Sequence, residues 1–231
     1  MHQVAYYFPI ATYLQSLFNQ ATLVPFLHND SGEFPPGHTR LSRGYRHKVL
    51  DNPVINQESR NQSVVGCTDG VPFFDDMVRG GWPIIFKNAS LPDALANIMR
   101  NCHIVAIQGN EYLSWDEGHK KVRKRVRAPK TLKPIMEIIG RECTNLYHQG
   151  TRIIDASEAE DSPYRVFTCR LVLLFWCGDY PGQALVSCFT HKGKRCCHWC
   201  HHKAWYCPAA HRMISDDYRR DLGRCSLPPT I

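Results

Sequence analysis

The stretch that decides the fold is Leu171-Val172-Leu173-Leu174-Phe175-Trp176, which runs into Gly178-Asp179-Tyr180-Pro181. The first six residues are all apolar, and their β-branched and aromatic content is typical of a buried strand. Periodicity alone does not separate such a strand from a buried helix over the longer segment 164–176. A carboxylate at the end of a buried strand can hold a hard cation. The stretch therefore predicts a strand that ends at a candidate metal ligand, Asp179.

Three β-prone segments and one helix precede this strand. The β-prone segments are Ser63–Cys67, Trp82–Lys87 and Cys102–Ile107, and the helix covers Leu132–Tyr147. Apolar residues recur at three- and four-residue spacing through the helix, with Thr131 as a candidate N-cap and Gly150 as a candidate stop. Three strands, a helix and a returning strand predict an α/β fold with a mixed sheet. A crossover helix lets the returning strand lie parallel to the first strand.

The chain has 231 residues, of which 43% are hydrophobic and 21% are charged, so we expect one main globular domain. We divide it into an N-terminal flank at 1–60, a core at 61–187 and a Cys/His-rich segment with a tail at 188–231. Within the flank, Leu14, Phe18 and Leu23 suggest a short helix that Pro25 stops. We expect the flank to lie outside the core.

Two aspartates are candidate metal ligands because each one follows a predicted strand. If the first and returning strands are parallel neighbours, Asp69 and Asp179 both lie at carboxyl ends, where sheet ligand sites form. Two carboxylates there suit Mg²⁺, and a pair of such ions can clamp the oxygens of a phosphodiester displacement. Spacing alone favours the alternative that both are turn residues, since Asp69-Gly70 is a hairpin signal and Gly178-Asp179 can break a strand.

The segment after residue 187 is rich in soft metal ligands. Six of the eleven cysteines and five of the twelve histidines lie between Cys188 and Cys225, and bound metal explains this enrichment more simply than disulfides do. The spacing of Cys197 and Cys200 suits one tetrahedral Zn²⁺, and Cys207 with His211 is a plausible second pair. The competing ligands are His191, Cys196, His201 and His202. The alternative is a cysteine-rich loop without metal.

A basic run gives the chain part of its net charge of +7. Its members are Lys120, Lys121, Arg123, Lys124, Arg125 and Arg127. Dense positive charge suits a phosphate backbone or a nuclear import receptor, and the alternative is a solvated surface loop. We predict a loop that binds nucleic acid or an import receptor.

Several function classes have no support in the sequence. The start of the chain lacks the pattern of a secretory signal, and no apolar run reaches the length of a membrane span, so we expect reduced cysteines in the nucleus or cytosol. No His-x-Glu precedes the Cys-x-x-Cys, which argues against a nucleobase deaminase. The sequence also has no Walker loop and no Rossmann glycine fingerprint.

Several segments, taken in order, resemble the CACTA (En/Spm-type) transposase family. The similar segments are Tyr6–Ile10, Leu14–Phe18, Thr68–Phe73, Trp82–Ile85, Asn88–Pro92, Leu173–Pro181, and Gly193 with Cys197–Cys200. Each motif alone is weak, whereas the ordered set is moderately specific and covers about residues 5 to 202.

The resemblance implies an RNase H-like fold whose acidic residues hold Mg²⁺ or Mn²⁺ and cut and join transposon ends in the nucleus. Asp69 matches the family's first aspartate, Asp179 the second, and Cys197 with Cys200 the family's Cys-x-x-Cys. The third family acid has no clear match, because the remaining aspartates follow Cys200 closely; these are Asp216, Asp217 and Asp221. We therefore expect an incomplete core of uncertain enzymatic activity. The alternative is a non-catalytic nuclear module, derived from a transposase, that binds zinc and DNA or a protein partner.

Overall fold

A computed structural model gives the structure of the chain over ten described ranges. They are 5–29, 38–72, 80–109, 111–113, 125–127, 129, 131–178, 180–186, 205–207 and 212–214. The α-helices are α1 (Ile10–Phe18), α2 (Arg43–Tyr45), α3 (Asp93–Ala96), α4 (Lys133–His148) and α5 (Tyr180–Val186). Short 3₁₀ turns cover Val24–Phe26, Thr39–Leu41 and Met99–Asn101, and a π-helical turn covers Arg46–Leu50.

Twelve strands lie in the described ranges. They are β1 (Ala5–Tyr7), β2 (Gln62–Thr68), β3 (Val71–Pro72), β4 (Gly80–Asn88), β5 (Cys102–Gly109), β6 (Glu111–Leu113), β7 (Arg125–Arg127), β8 (Thr151–Ile154), β9 (Val166–Cys169), β10 (Leu171–Cys177), β11 (Trp205–Cys207) and β12 (Arg212–Ile214). Five of them form the main sheet in the order β1-β5-β4-β2-β10, and β3 also pairs with β4. β10 is parallel to β2 and the other pairs are antiparallel, which confirms the predicted mixed sheet and the parallel returning strand.

Both faces of the main sheet are covered. Val64 on β2 belongs to a core that includes residues of α1 and α4, such as Leu14 and Ile139. Its neighbour Val65 points the other way and belongs to a second cluster with Tyr45, Val49, Ile55, Ala89 and Leu174. This alternation is the period-two pattern of a strand buried on both faces.

The expectation that the flank lies outside the core is wrong for its described part. Helix α1 buries five side chains in the main core, namely Ile10, Tyr13, Leu14, Leu17 and Phe18. The helix ends at Phe18, well before Pro25, which lies in a separate 3₁₀ turn. Local sequence patterns do not show which distant surface a short amphipathic helix covers, so the flank could not be placed from its own residues.

The N-terminus of α1 is capped by a carboxylate from α4. No side chain at the N-cap position, Pro9, makes this contact. Instead, the Ile10 N–H donates to both carboxylate oxygens of Glu142, at 3.0 and 3.1 Å, and the Ala11 N–H donates to Oε1 at 3.2 Å. Negative charge is favourable at this end of a helix because the first N–H groups have no partner within the helix. Glu142 therefore joins the start of the chain to α4 across 132 positions.

Replacing Glu142 by alanine is expected to lower the free energy of unfolding by about 1–2 kcal/mol, because two helix N–H groups lose their acceptor. Urea unfolding followed by circular dichroism would measure the change. The control is Glu137→Ala on the same helix, where a side chain that is 62% exposed makes a 3.8 Å contact with Lys133. An exposed pair of this kind contributes about 0.5 kcal/mol. Equal losses for the two variants would contradict the assigned role of Glu142.

The predicted apolar stretch 164–176 is not one element. It contains β9, which pairs with β8, and β10, which joins the main sheet, and Arg170 separates the two strands. The Arg170 N–H donates to Asn61 Oδ1 at 2.6 Å, and the Arg170 carbonyl accepts the Gln62 N–H at 2.8 Å. These two hydrogen bonds join Arg170 to the start of β2. They hold the chain where it passes from the two-stranded β8–β9 sheet to the main sheet.

Helix α4 begins and ends close to the predicted positions. It starts at Lys133, whose N–H donates to the Thr131 hydroxyl at 3.0 Å, although the N-cap position itself is Leu132. Gly150 follows the helix with a φ of 72°, a conformation that favours glycine, and thereby confirms the predicted stop. Among the helices that the structure describes, none has the length and apolar character needed to cross a bilayer.

Candidate active-site edge

Three strands of the main sheet end at the same edge. β5 is antiparallel to β4, and β4 is antiparallel to β2, so β5 and β2 run in the same direction; β10 is parallel to β2. We call the end of these three strands the carboxyl edge, defined by Thr68, Asp69, Gly109, Cys177 and Gly178. Ligand sites in open α/β sheets form at such edges.

Asp69 follows β2 directly at the carboxyl edge, and its side chain is exposed. The hairpin-turn alternative for Asp69-Gly70 is wrong, because both flanking strands pair with β4 in one continuous register. Thr68 pairs with Ile84, and three positions later Val71 pairs with Gly81. Asp69 thus interrupts a strand that continues beyond it, and the contact of its carboxylate is the Gly70 N–H, 2.7 Å from Oδ1.

The backbone on both sides of Asp69 is held by buried groups. The Thr68 hydroxyl, which is buried, donates to the Pro83 carbonyl at 2.9 Å. A Cβ atom at Gly70 would lie 2.9 Å from Cζ2 of the Trp82 ring, so the ring packs where a side chain would stand. Trp82 is only 8% exposed and is a packing residue, as the sequence predicts. Asp69 is therefore an exposed carboxylate on a stretch of backbone that its neighbours hold in place.

The neighbouring strand β10 approaches the same point. Cys177 pairs with Cys67 in the parallel register, which places Gly178 beside Thr68. A Cβ atom at Gly178 would lie 2.9 Å from the Thr68 carbonyl oxygen, which explains why glycine occupies this position. Asp179 lies outside the described residues. The structure therefore brings together Thr68 and Gly178, the residues that come immediately before the two predicted metal ligands.

Aromatic packing fixes β10 against β2 just below the carboxyl edge. Gly66 pairs with Trp176 on one side and with Phe86 on the other. The Trp176 ring occupies the space of a Gly66 side chain and meets the Phe86 ring edge-on, with centroids 5.8 Å apart. Trp176 is therefore a packing residue, as predicted, and it sets the position of the strand that leads to Asp179.

Part of the basic run forms a strand rather than the predicted loop. Arg125–Arg127, which is β7, pairs antiparallel with β6, and β6 begins two residues after β5 ends at Gly109. We call this pair the basic ribbon. Gln108 Nε2 donates to the Thr131 carbonyl at 3.1 Å, so the chain also leaves for α4 near the same edge. Lys120, Lys121, Arg123 and Lys124 lie outside the described residues.

The opposite edge of the sheet carries polar residues that are buried and paired. Arg60 Nη1 lies 3.4 Å from Asp155 Oδ2, and its guanidinium lies 3.9 Å from the centre of the Phe167 ring. Asp155 Oδ1 accepts the Ser157 N–H at 3.0 Å, which confirms Asp155 as a turn former. These groups satisfy each other, so this edge has a structural role, whereas the carboxyl edge presents an open carboxylate.

His103 is a satisfied histidine, as predicted, but it is half-buried rather than part of the core. Its ring stacks on Tyr13 with centroids 4.9 Å apart, and Nε2 lies 3.1 Å from the Phe8 carbonyl oxygen. Burial lowers the pKa of His103, against the opposing effect of the Phe8 carbonyl.

The predicted zinc segment falls largely outside the described ranges. Its described part is a short antiparallel pair, β11 and β12, in which Cys207 pairs with Arg212, the residue after His211. Cys197, Cys200 and His211 lie outside, as do the three late aspartates Asp216, Asp217 and Asp221. Within the described ranges alone, no group of three or more His, Cys, Asp or Glu residues is placed to hold a metal.

A family model described as transposase family tnp2 matches residues 37–220. The chain belongs to this transposase family. The match contains all three strands that end at the carboxyl edge, the basic ribbon and every predicted metal ligand, whereas helix α1 precedes it. Comparison of the tnp2 transposase-family chain with curated proteins and with solved structures gave no match.

Proposed function

We propose that this transposase-family protein cuts and joins DNA at transposon ends by metal-dependent phosphoryl transfer, as the CACTA (En/Spm-type) resemblance implies. The observation that carries the proposal is the position of Asp69, an exposed carboxylate at the end of β2, beside the strand that leads to Asp179. Nucleic-acid enzymes of this class need carboxylates that converge on hard cations.

The strand order supports an RNase H-like core. Three successive antiparallel strands, β2, β4 and β5, are followed by α4 and then by β10, which lies parallel to β2. The sequence predicts this order of elements as a mixed α/β sheet, and the CACTA (En/Spm-type) resemblance implies that such a sheet is RNase H-like. It makes neighbours of β2 and β10, the strands that precede Asp69 and Asp179 in the sequence.

Equal spacing supports a side-by-side arrangement of the two aspartates. Cys67 pairs with Cys177, and each aspartate stands two residues after its cysteine. Carboxylate oxygens are the ligands that Mg²⁺ and Mn²⁺ prefer, so Asp69 and Asp179 would hold the ion, and the exposed Asp69 fits this role. Bound there, the ion would stabilise charge on the attacking and leaving oxygens of the phosphodiester. The packed backbone on both sides of Asp69 would orient this ligand.

The basic ribbon supports DNA as the substrate. It leaves the sheet at Gly109, and β5 is two strands away from β2, a separation of about 10 Å. Lysine and arginine neutralise phosphates and release counterions, which gives affinity without base specificity. Positive charge on the basic ribbon would hold a DNA backbone within reach of Asp69. An import receptor remains a second proposed partner of the same basic run, with the nucleus as the proposed location.

We also propose a structural Zn²⁺ held by Cys197, Cys200, Cys207 and His211. The short β11–β12 pair supports this proposal, because it pairs Cys207 with Arg212, the residue that follows His211. The two proposed ligands of the second pair therefore lie at the two ends of one short connection. If the protein is instead a non-catalytic module, this element and the basic ribbon would still bind zinc and DNA. Metal analysis of the purified protein would detect zinc, and protein that contains none would exclude the proposed site.

The cleavage proposal is tested with supercoiled DNA that carries the transposon ends. We expect the purified chain to nick it with Mn²⁺ or Mg²⁺, to lose the activity with chelator, and to bind the same DNA in either case. Binding without nicking under all metal conditions would instead favour the non-catalytic module.

Replacing Arg125 and Arg127 together by glutamine is expected to weaken DNA binding for all sequences alike. Each lost phosphate contact should reduce the slope of log affinity against log salt by about 1. Fluorescence anisotropy over a salt series would measure both quantities. The control is Arg152→Gln, an exposed arginine on β8 in the small β8–β9 sheet, which should leave the slope unchanged. An unaltered slope for the double variant would remove the ribbon from the DNA interface.

A further inference from the structure

Two cysteines face each other at the end of the parallel strand pair. Cys67 and Cys177 are the last paired residues of β2 and β10, and neither is in a disulfide. The sequence repeats itself here, since Cys67-Thr68-Asp69 and Cys177-Gly178-Asp179 both have the form Cys-x-Asp. The repeat and the register together bring two thiols to the same position on adjacent strands.

The spacing of neighbouring strands suits a covalent link between these residues. Paired residues on adjacent strands lie about 4.8 Å apart across the sheet, and disulfides join residues whose Cα atoms are about 4.4–6.8 Å apart. Paired residues also project to the same face of a sheet. Helix packing does not cover this part of that face completely, because Cys177 is exposed and Cys67 is half-buried.

The two thiols differ in their exposure to solvent. Cys177 is exposed and can meet a dissolved oxidant, whereas Cys67 lies deeper. Because Cys67 is half-buried, it meets outside reagents less readily than a sulfur that is already held beside it.

We propose that Cys67 and Cys177 form a dithiol site that is oxidised reversibly to an intrachain disulfide. The Cys177 thiolate attacks glutathione disulfide, forms a mixed disulfide and releases one glutathione. The Cys67 thiol then loses its proton, attacks the Cys177 sulfur and releases the second glutathione. Two protein thiols are oxidised, and one glutathione disulfide is reduced to two glutathione molecules.

The test is peptide mapping of the full chain after incubation with glutathione disulfide and alkylation of the remaining thiols. Trypsin releases Cys67 in peptide 61–79 and Cys177 in peptide 171–192, which also contains Cys188. We expect these two peptides to be linked, with fragmentation placing the bond at Cys177, and we expect reductant to reverse the link. DNA nicking is not part of the readout, so the result is independent of the proposed activity.

The variants Cys67→Ser and Cys177→Ser should each abolish the link, and Cys177→Ser should also abolish the mixed disulfide with glutathione. Cys102→Ser is the matched control, because Cys102 is another half-buried strand cysteine but pairs with Lys87 instead. It should leave the link intact. Glutathione that stays on Cys177 without transfer to Cys67, or a link to Cys188, would overturn the proposal.

Discussion

Asp69→Asn is expected to reduce metal-dependent DNA nicking by about 10³-fold, because an amide keeps the size of the side chain but removes the charge that holds a divalent cation. The side chain is exposed, and its contact is a local one with the Gly70 N–H. The free energy of unfolding should therefore change by about 0.5 kcal/mol or less. A large loss of activity without a loss of stability would identify a ligand rather than a structural residue.

The comparison requires single-turnover nicking rates at several Mn²⁺ concentrations. Asp161→Asn is the matched control, because Asp161 is also an exposed aspartate but lies in the loop between β8 and β9. It should retain full activity. If Asp69→Asn also retained it, the assignment of the metal site to the carboxyl edge would be wrong. A rate that recovers at high Mn²⁺ concentration would show weakened binding of the ion rather than its loss.

Asp155→Ala is expected to lower the free energy of unfolding by about 3 kcal/mol. The change leaves the buried Arg60 guanidinium without one of its two carboxylate partners and removes the acceptor for Ser157, whose hydroxyl lies 2.6 Å from Asp155 Oδ1. Breaking a buried ion pair from one side costs about 3–5 kcal/mol, and Glu58, which lies 3.0 Å from Arg60, offsets part of that cost.

Urea unfolding at neutral pH would measure this effect as a shift of the midpoint at constant slope. Glu58→Gln is the control, since Glu58 contacts the same arginine from a more exposed position and should cost about 1 kcal/mol. DNA affinity of the folded Asp155→Ala protein should be unchanged, because Asp155 lies at the edge of the sheet opposite Asp69. A loss below about 1 kcal/mol would mean that Arg60 does not depend on this partner.

The elements with strong local patterns were predictable from the sequence. The period of α4, the β-prone runs of β2, β4 and β5, and the parallel return of β10 follow from spacing and from the rules of chain connection. Features that depend on distant partners were not predictable in this way. The Glu142 cap of α1 joins residues far apart in the chain, and no local signal marks Arg170 as the break between β9 and β10.

The candidate site was predictable in part for the same reason. Asp69 could be placed at a strand end from its neighbours, but the register that excludes a hairpin turn depends on Gly81, twelve residues later. The basic run was visible as charge, yet its departure from the carboxyl edge follows only from the direction of β5. One signal could have been used and was missed: the repeated Cys-x-Asp at the ends of two strands that were expected to be parallel neighbours.

Helix α1 sets the minimum length of chain that can fold as this structure does. The family match begins at residue 37, but α1 ends at Phe18 and fills the core with side chains such as Leu14 and Leu17, which are fully buried. A fragment cut at the family boundary would expose the apolar surface under that helix and leave the Glu142 carboxylate without its two N–H donors. Recombinant fragments, domain swaps and fusion proteins built from this family should therefore begin upstream of the helix.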